Sequence, residues 1–363
     1  MEELELGALR VRGWSRGCEL CWRGSKVVVF VTGLCNLYNS CFYCTISPWR
    51  RDRDVQFVDE IEIKNTDDII AELKAVDAEG MSITGGEPTL VLDRVLKYVK
   101  VVKEEFGARF HIHMYTNGTL MDEKKLSKLA DVGLDEIRFH SWDEKAWNLV
   151  EVARDCGLCA GFEMPVIPMS PYIRRLKDLA LHLDRMGGGF LNLNELEFGE
   201  ANRKKLLRMG LKPSSESEVA VSGSKEVAKD ILNFVERNTG IKGYFCPAIQ
   251  KDYQMWVRWR RRARRTAESY EDVTEDGTIF RVELCGNDSL LRKIIHALHG
   301  KSFAVSEGKV VMPLDTFKKL VEEGLVDLNN LECFGVEYAP LPGRRIEVAR
   351  YPCSFLMRSL REG

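Results

Sequence analysis

The feature that most constrains the fold of this chain is a regular alternation of short β-branched runs with helical stretches, from Lys26 to Gly199. Such alternation is typical of parallel βα units, because neighbouring parallel strands need a crossover connection. Six strands are predicted, at residues 26–33, 80–86, 109–118, 135–142, 159–168 and 190–199. We therefore expect an α/β fold whose ligand sites lie at the C-terminal ends of parallel strands.

The composition narrows the class of protein further. The chain has 363 residues, of which 45% are hydrophobic, and its formal net charge is -2, so no global field draws it onto nucleic acid. No run of 18 apolar residues occurs and the N-terminus lacks the apolar core of a signal peptide, so we expect a cytoplasmic protein without a membrane partner. Its eleven cysteines occur as C-x2-C pairs and scattered singles, a pattern that favours metal chemistry under reducing conditions over disulfides.

Three of these cysteines share one short loop. The stretch "VTGLCNLYNSCFYCTISP", residues 31–48, contains Cys35, Cys41 and Cys44. Three thiolates can hold three irons of a [4Fe-4S] cluster and leave the fourth iron open to a small molecule. The C-x5-C-x2-C spacing by itself also allows a zinc site or a disulfide.

A second stretch, "MSITGGEPTL" at residues 81–90, favours the cluster. It resembles the Gly-Gly-Glu-Pro turn with which radical SAM enzymes bind the methionine end of S-adenosylmethionine (SAM). An apolar strand runs directly into Gly85 and Gly86, where a backbone without side chains can approach a ligand closely. With both motifs in this order, the chain resembles the radical SAM superfamily, in the branch related to glycyl-radical (pyruvate formate-lyase) activating enzymes.

The resemblance covers roughly residues 26–199 and implies a partial (β/α)6 barrel. It also implies that the open iron binds the amino and carboxylate groups of SAM. One electron from an external donor then splits SAM into methionine and a 5'-deoxyadenosyl radical. Cys35, Cys41 and Cys44 would hold the cluster. The superfamily usually shows C-x3-C-x2-C, so the wider spacing leaves the path of this loop open.

The same resemblance implies contacts to SAM. Glu87 and the backbone of Gly85 and Gly86 would bind the methionyl ammonium, and Tyr43 would contact the adenine edge. Asn117, in the "YTNGT" that closes the third strand, matches a "TNG" found in activases of this branch, although Asn-Gly also suits a plain turn.

Further candidates lie at the ends of later strands. His140 and Ser141 end the fourth strand, where the family often contacts the ribose of SAM. Alternation along the strands directs Glu163, Asn194 and Glu197 to the barrel interior, although a solvated or salt-bridged carboxylate is the common alternative. The sequence does not identify catalytic side chains.

Other cysteines suggest an auxiliary site. Cys18 and Cys21 form a C-x2-C pair, and Cys246 precedes a proline and could complete a metal site or second cluster with them. Reduced cysteines in a tight turn and a lone buried cysteine are the alternatives. A second pair, Cys156 and Cys159, falls at the opposite end of the predicted barrel, where small turn residues are the default interpretation.

Four segments are predicted. Residues 1–25 form an N-terminal extension, 26–199 the barrel, 200–269 a helical linker, and 270–363 a small α+β domain for substrate selection. In the last segment, strands are expected within 278–284, 303–313 and 333–353, and helices at 289–300 and 314–324.

The linker contains an unusual cationic helix. Between Met255 and Ala267, an apolar stripe has helical spacing and six arginines occupy the other faces. The stripe consists of Trp256, Trp259, Ala263 and Ala267; the arginines, which we call the arginine ridge, are Arg258, Arg260, Arg261, Arg262, Arg264 and Arg265. Guanidinium groups match phosphate, so the ridge predicts binding to RNA, with tRNA as the expected substrate. Neutralisation by the acidic segment that follows is the alternative.

These features lead to two hypotheses about function. The first is a transferase that modifies a tRNA nucleoside by radical attack, for example C-methylation. The alternative is a protein-modifying activase of glycyl-radical enzymes, which the "GGEP" and "TNG" motifs favour. A non-enzymatic iron-sulfur scaffold has no need of a SAM-binding turn.

Overall fold

The computed structural model describes residues 1–38, 40–326, 330–341 and 345–356. The chain divides into two compact units. The larger contains Met1–Lys74 and Ala78–Gln254, and the smaller contains Ala75–Asp77 and Met255–Gly363.

The larger unit is built on one sheet of eleven strands. In spatial order they are β1, β2, β11, β10, β9, β8, β7, β6, β3, β4 and β5. Their bounds are β1 Glu2–Glu3, β2 Leu9–Val11, β3 Lys26–Phe30, β4 Phe57–Val58, β5 Ile61–Glu62, β6 Gly80–Thr84, β7 His111–Thr116, β8 Glu136–Phe139, β9 Cys159–Val166, β10 Phe190–Glu195 and β11 Lys242–Cys246. The seven strands from β3 through β6 to β11 are all parallel.

All six predicted strands are confirmed, as β3 and β6 to β10, and the unit is the α/β partial barrel that the sequence predicted. The seventh parallel strand, β11, was not predicted. It pairs with β10 on one side and, antiparallel, with β2 of the N-terminal extension on the other. The sheet therefore continues beyond residue 199, the predicted end of the barrel, and takes in strands of the extension and one strand of the predicted linker.

Helices connect the parallel strands and bury one apolar face each. In the larger unit they are α1 Arg16–Trp22, α2 Thr66–Val76, α3 Leu92–Phe106, α4 Glu123–Asp131, α5 Glu144–Trp147, α6 Leu149–Asp155, α7 Ser170–Arg185, α8 Arg203–Arg208, α9 Ser224–Asn238 and the first part of α10 Ala248–Thr266. In α7, for example, Leu176, Leu179, Ala180 and Leu183 are buried, the i, i+3, i+4, i+7 spacing of an amphipathic helix.

The smaller unit is an α+β structure, as predicted. Its sheet has the order β14, β15, β13, β16, β17, with β12 paired to β13. The elements are β12 Asp272–Val273, β13 Ile279–Cys285, α11 Asp288–Ala297, β14 Ala304–Ser306, β15 Lys309–Met312, α12 Leu314–Glu322, β16 Glu332–Ala339 and β17 Ile346–Pro352. Residues 342–344, inside the predicted strand region 333–353, lie outside the described residues.

The arginine ridge differs from its prediction in part. The helix exists as part of α10, but Trp256 of the predicted apolar stripe is 42% exposed, whereas Ala263 of the same stripe is fully buried. Arg262 is also fully buried. Arg261 donates to the carbonyl oxygens of Val76 and Asp77, at 3.0 and 2.6 Å.

Across the described parts of the chain, none of the helices combines the length and the apolar character needed to cross a membrane.

Candidate active site

The cluster loop, residues 31–53, leaves the C-terminal end of β3 and folds back on itself. The amide of Gly33 donates to the carbonyl of Arg53 at 2.8 Å, and the amide of Asp52 donates to the carbonyl of Gly33 at 3.0 Å. The hydroxyl of Tyr38 also donates to Gly33. These bonds close the wide C-x5-C-x2-C stretch into a compact loop at the ligand-binding end of the sheet.

The thiols of Cys35, Cys41 and Cys44 are reduced and partly accessible. Burial, together with the nearby Glu87, Cys41 and Cys44, raises the pKa of Cys35 to about 11. Burial also raises the pKa of Cys41. The three side chains are therefore close enough to influence one another, and a cationic metal centre is what would hold them as thiolates.

The donor set fits a cluster better than a single ion. Among the described residues, no group of three His, Cys, Asp or Glu side chains is placed to bind one metal ion. A [4Fe-4S] cluster does not need such convergence, because each cysteine binds a different iron. The amide of Leu37 donates to the Cys35 sulfur at 3.4 Å, a contact typical of cluster ligands.

Tyr43 fixes the second half of the loop. Its ring is 8% exposed and packs against Ile167, Leu196 and Phe198. The ring centroid lies 5.6 Å from that of His140, and the Tyr43 carbonyl accepts from Asn202 Nδ2 at 2.9 Å. The predicted contact to adenine stays a prediction, and the observed role of Tyr43 is to hold the loop against the sheet.

The Gly-Gly-Glu-Pro turn contacts the cluster loop directly. Gly86 and Glu87 donate their amides to the carbonyl oxygens of Thr32 and Leu34, at 2.8 and 2.7 Å. A Cβ on Gly86 would lie 2.1 Å from the Leu34 carbonyl oxygen, so only glycine permits this approach. An ammonium is itself a donor, so a bound methionyl ammonium would need acceptors, which the carbonyl oxygens of the turn can supply.

Glu87 joins two strand ends. Its side chain is fully buried and accepts four hydrogen bonds. Oε1 accepts from the amide and hydroxyl of Thr89 at 3.0 and 2.6 Å and from the Thr116 hydroxyl at 2.8 Å; Oε2 accepts from the Asn117 amide at 2.7 Å. The carboxylate therefore positions the turns after β6 and β7. Its predicted direct contact to SAM stays a prediction.

Asn117 ties the turn after β7 to the cluster loop. Its Nδ2 donates to Asn36 Oδ1 at 2.9 Å, and Asn36 Nδ2 donates to the Thr119 hydroxyl at 2.7 Å. Asn117 Oδ1 accepts from the amide and hydroxyl of Thr119. Asn36 follows Cys35 directly, so this network sets the position of a predicted cluster ligand relative to the "TNG" turn.

His140 and Ser141 were predicted to end the fourth strand, but β8 ends at Phe139 and both residues follow it. Burial lowers the pKa of His140, whose amide donates to the Thr116 carbonyl at 2.8 Å. Ser141 is 5% exposed and its hydroxyl accepts from the amide of Asp143 at 3.2 Å. Their predicted contact to ribose stays a prediction.

Glu163 lies in the sheet interior, as alternation predicted. It accepts from Arg138 Nη1 at 2.6 Å, from Asn194 Nδ2 at 2.9 Å and from the Tyr115 hydroxyl at 3.1 Å. Burial raises its pKa, but Arg138 and the amide donors outweigh burial and lower it overall. Glu197 instead follows β10 and pairs with Lys251.

The N-terminal ends of the strands hold a second buried polar group, which we call the basal network: Lys26, His113, Glu136 and Arg138, covered by α1. Arg138 Nε donates to Glu136 Oε1 at 2.6 Å, and Lys26 contacts His113. A Cβ on Gly17 of α1 would lie 2.4 Å from His113 Nδ1 and 2.7 Å from Lys26 Nζ, so glycine lets α1 reach the network.

Burial dominates the titration of the basal network. It lowers the pKa of Lys26 to about 7 and holds that of His113 well below its usual range. For Glu136, burial raises the pKa, but Arg138 and the neighbouring His111 and Lys26 lower it overall.

The predicted auxiliary site at Cys18, Cys21 and Cys246 stays a prediction, and the structure shows the present partners of these thiols. Cys18 accepts from Asn192 Nδ2 at 3.2 Å, and Cys21 donates to Gln254 Oε1 at 2.9 Å. Cys18 and Cys246 pack in one small apolar cluster with Tyr244, and burial raises both thiol pKa values. Cys156 is the C-cap residue that follows α6, and Cys159 begins β9.

Sequence reasoning missed the side chains that link the motifs. Asn36, Thr116 and Thr119 are ordinary polar residues beside recognised motifs, and Arg138 lies in a short strand. For Asn36 the available signal was its position directly after Cys35, and for Thr116 and Thr119 it was their position within "YTNGT". Nothing in the local pattern indicated that Arg138 would pair with two carboxylates from β8 and β9.

Comparisons with known proteins agree with this geometry. Residues 29–141 match the radical SAM superfamily. A Methanocaldococcus jannaschii protein with the provisional name of glycyl-radical enzyme activating enzyme is 32% identical over 324 residues, 85% of this chain and 84% of that protein. The Fe-coproporphyrin III synthase of Methanosarcina barkeri is 32% identical over 111 residues, 31% of this chain and 25% of the synthase.

Among solved structures, BtrN in complex with AdoMet and 2-DOIA is 20% identical and matches over 39% of this chain and 56% of its own, with a TM-score of 0.29. The family is shown by two other findings. One is the relative that spans most of the chain, and the other is the match over residues 29–141, which include the cluster loop and the Gly-Gly-Glu-Pro turn. This chain belongs to the radical SAM superfamily, in its activase-like branch, whose cofactors are a [4Fe-4S] cluster and SAM.

Proposed function

We propose that this protein is an activase that abstracts a hydrogen atom from the α-carbon of a glycine in a partner protein. The observation that carries the proposal is the 32% identity, over 85% of the chain, to a relative named for activation of a glycyl-radical enzyme. The tRNA-modifying transferase predicted from the arginine ridge becomes the second candidate.

The cofactors supply the radical: a reduced cluster cleaves bound SAM to methionine and a 5'-deoxyadenosyl radical. The protein's own residues hold the reactants in line. Cys35, Cys41 and Cys44 would bind the cluster, and the carbonyl oxygens of the Gly-Gly-Glu-Pro turn would receive the methionyl ammonium. Glu87 and Asn36 would keep these two sites in register, because their hydrogen bonds join the cluster loop to the turns after β6 and β7.

Glu87 also contributes to the local field. All four of its donors are amide or hydroxyl groups, so the charge of the carboxylate is not neutralised by them. A buried negative charge favours a cationic ligand nearby, and both the ammonium and the sulfonium of SAM are cationic.

In the proposed reaction, one hydrogen atom of the glycine Cα–H bond would pass to the 5'-deoxyadenosyl radical, which would give 5'-deoxyadenosine and leave a glycyl radical on the partner. The electron that starts each cycle comes from an external reductant.

The second candidate rests on the arginine ridge. Arg264 and Arg265 are exposed, but Arg265 lies 3.5 Å from Asp77 Oδ1, Arg261 bonds backbone carbonyls, and Arg262 is buried. Intramolecular contacts thus engage much of the charge that the RNA hypothesis requires, which favours the activase.

One experiment separates the two candidates. Reconstituted, reduced enzyme is given SAM and either protein extract from cells grown on α-deuterated glycine or bulk tRNA. We expect deuterium in 5'-deoxyadenosine and a glycyl-radical signal in electron paramagnetic resonance with the protein extract. If the extract gives neither, while tRNA stimulates 5'-deoxyadenosine formation and becomes modified, the RNA candidate replaces the activase.

A matched pair of variants sharpens the test. Arg264→Gln/Arg265→Gln changes exposed ridge residues, and Arg185→Gln/Arg237→Gln changes arginines in the last turns of α7 and α9. The RNA candidate requires weaker tRNA binding and a flatter salt dependence in the ridge variant alone. The activase predicts the same protein-dependent activity in both.

A further inference from the structure

The smaller unit contains three cysteines that neither the cluster nor the proposed reaction uses, Cys285, Cys333 and Cys353. Cys333 lies in β16 and is 5% exposed, whereas Cys353 directly follows β17 and is half-buried. Because Phe334 pairs with Pro352 in the antiparallel register, Cys333 and Cys353 flank the same cross-strand pair.

Both thiols lie at the apolar core of this unit. Cys333 belongs to the cluster that contains Leu284 and Leu356, and Cys353 packs against that cluster. The register places Cys333 and Cys353 opposite each other, and antiparallel neighbours are close enough in general for a cross-strand disulfide. This placement brings together two groups that can react with each other.

Cys285 provides an internal comparison. In the register of β13 and β16, Leu284 pairs with Cys333 and Cys285 pairs with Glu332. Successive strand residues face opposite sides of a sheet, so Cys285 lies on the face away from Cys333. Cys285 is therefore only one residue away from the position opposite Cys333, but its side chain lies on the wrong face to form a disulfide with Cys333.

We propose that Cys333 and Cys353 are a reversible redox modification site that forms a disulfide in the presence of a peroxide. The inference concerns the smaller unit alone and is independent of the activase proposal. Its chemistry needs only the two thiols and a two-electron oxidant.

The steps follow from accessibility. The half-buried Cys353 meets the peroxide first, and its sulfur takes one oxygen to become a sulfenic acid while the peroxide is reduced to an alcohol or water. The Cys333 sulfur then attacks the Cys353 sulfur, the S–S bond forms, and the hydroxyl leaves as water with the proton of the Cys333 thiol. A dithiol reductant returns both thiols.

The bond would secure an edge strand of this sheet. Among the described residues, β17 pairs with β16 alone, and Ile346 and Val348 are 49% and 50% exposed. Little apolar burial holds such a strand, so it is expected to open locally before the core does. A covalent link to β16 limits this opening and also restricts the unfolded chain.

The test uses the full-length holoenzyme. Protein purified under reducing, anaerobic conditions is freed of reductant, treated with hydrogen peroxide, denatured, alkylated with iodoacetamide and digested for mass spectrometry. We expect the peptides of Cys333 and Cys353 to be joined, lighter by two hydrogen atoms than their sum, and separated again by dithiothreitol. This mapping needs no variant, so it does not depend on whether a substituted protein folds.

Two variants complete the test. Cys285→Ser should keep the joined peptides, whereas Cys353→Ser should leave Cys333 alkylated and abolish the rise in the thermal unfolding temperature of the smaller unit on oxidation. Recovery of both Cys333 and Cys353 as alkylated thiols, under conditions that oxidise Cys35, Cys41 or Cys44, would overturn the proposal. A bond from either residue to Cys285 would overturn it equally.

Discussion

The two ends of the parallel strands in the larger unit hold buried carboxylates in different ways. At the C-terminal end, Glu87 accepts four hydrogen bonds from neutral donors in two turns. At the N-terminal end, Glu136 is paired with Arg138 within the basal network. Both glutamates have 0% exposure, so burial alone does not distinguish their roles.

The C-terminal end of the strands is the end organised for a ligand. Glu87 is held by neutral donors, so its carboxylate can still attract a cationic ligand. Glu136 and Glu163 are instead ion-paired with Arg138. Changes at the first end should therefore alter cofactor handling more than folding. Changes at the second should do the reverse.

The largest effect is expected from the cluster loop. Replacing Cys35, Cys41 and Cys44 together by alanine should abolish cluster binding and 5'-deoxyadenosine formation, because no other three-cysteine loop is available in the sequence. Iron content, the visible absorption of the cluster and chromatographic assay of 5'-deoxyadenosine provide the measurement. The control, Cys156→Ala/Cys159→Ala, changes a pair at the other end of the strands and should retain both activities.

Arg138→Met should have the largest effect on stability. It leaves Glu136 and Glu163 buried without their cation, which typically costs about 3–5 kcal/mol of unfolding free energy. Urea unfolding followed by circular dichroism measures this loss. Arg23→Met, which removes an arginine with 46% side-chain exposure, should cost less than about 1 kcal/mol. Equal losses in the two variants would contradict the contrast between the ends.

Glu87→Gln tests the ligand end. The amide of glutamine offers one acceptor oxygen and faces donors at its nitrogen, so we expect a loss of about 1–3 kcal/mol in stability together with weaker binding of SAM. The diagnostic result is at least about a tenfold rise in the KM for SAM in protein that still binds the cluster, equivalent to about 1.4 kcal/mol. An unchanged KM would limit Glu87 to a role in folding.

Lys26 gives the basal network a pH signature. Its folded pKa is about 7, below the usual value of about 10.4 in an unfolded chain. Between these values the unfolded chain binds a proton that the folded protein lacks, so Lys26 makes stability rise with pH, by up to about 1.4 kcal/mol per pH unit. Unfolding measured from pH 7 to 10 should show a smaller rise in Lys26→Met than in wild type. Lys100→Met, at an exposed position, should keep the wild-type rise.

The smallest effect is expected for Asn36→Ala. It removes the hydrogen bonds to Asn117 and Thr119, worth about 1 kcal/mol each in stability. Because these bonds set the position of the cluster loop, we expect a roughly tenfold slower SAM cleavage with full cluster content, about 1.4 kcal/mol in the barrier. Asn238→Ala, in the last turn of α9, provides a matched loss of an exposed asparagine. Loss of the cluster itself in Asn36→Ala would show that the residue supports assembly and not positioning.

The strands and the two cofactor motifs could be predicted from the sequence, because they depend on residues that are close together along the chain. Periodicity predicted the six strands, since alternating apolar faces and crossover helices are local patterns. The cysteine loop and the Gly-Gly-Glu-Pro turn identified the superfamily, because the cofactor's chemistry restricts those residue types at those spacings.

Strand pairing, hydrogen-bond partners and burial could be read only from the tertiary structure, because they depend on residues that are far apart in the sequence. β11 became a seventh parallel strand because β10 and β2 pair with it, and Glu87 became a positioning residue because Thr116 and Asn117 lie within hydrogen-bonding distance. Arg262 is buried, although its position among five other arginines predicted an exposed cationic surface. Charge and hydrogen-bond partners are set by distances in space, and residue spacing along a chain does not specify those distances.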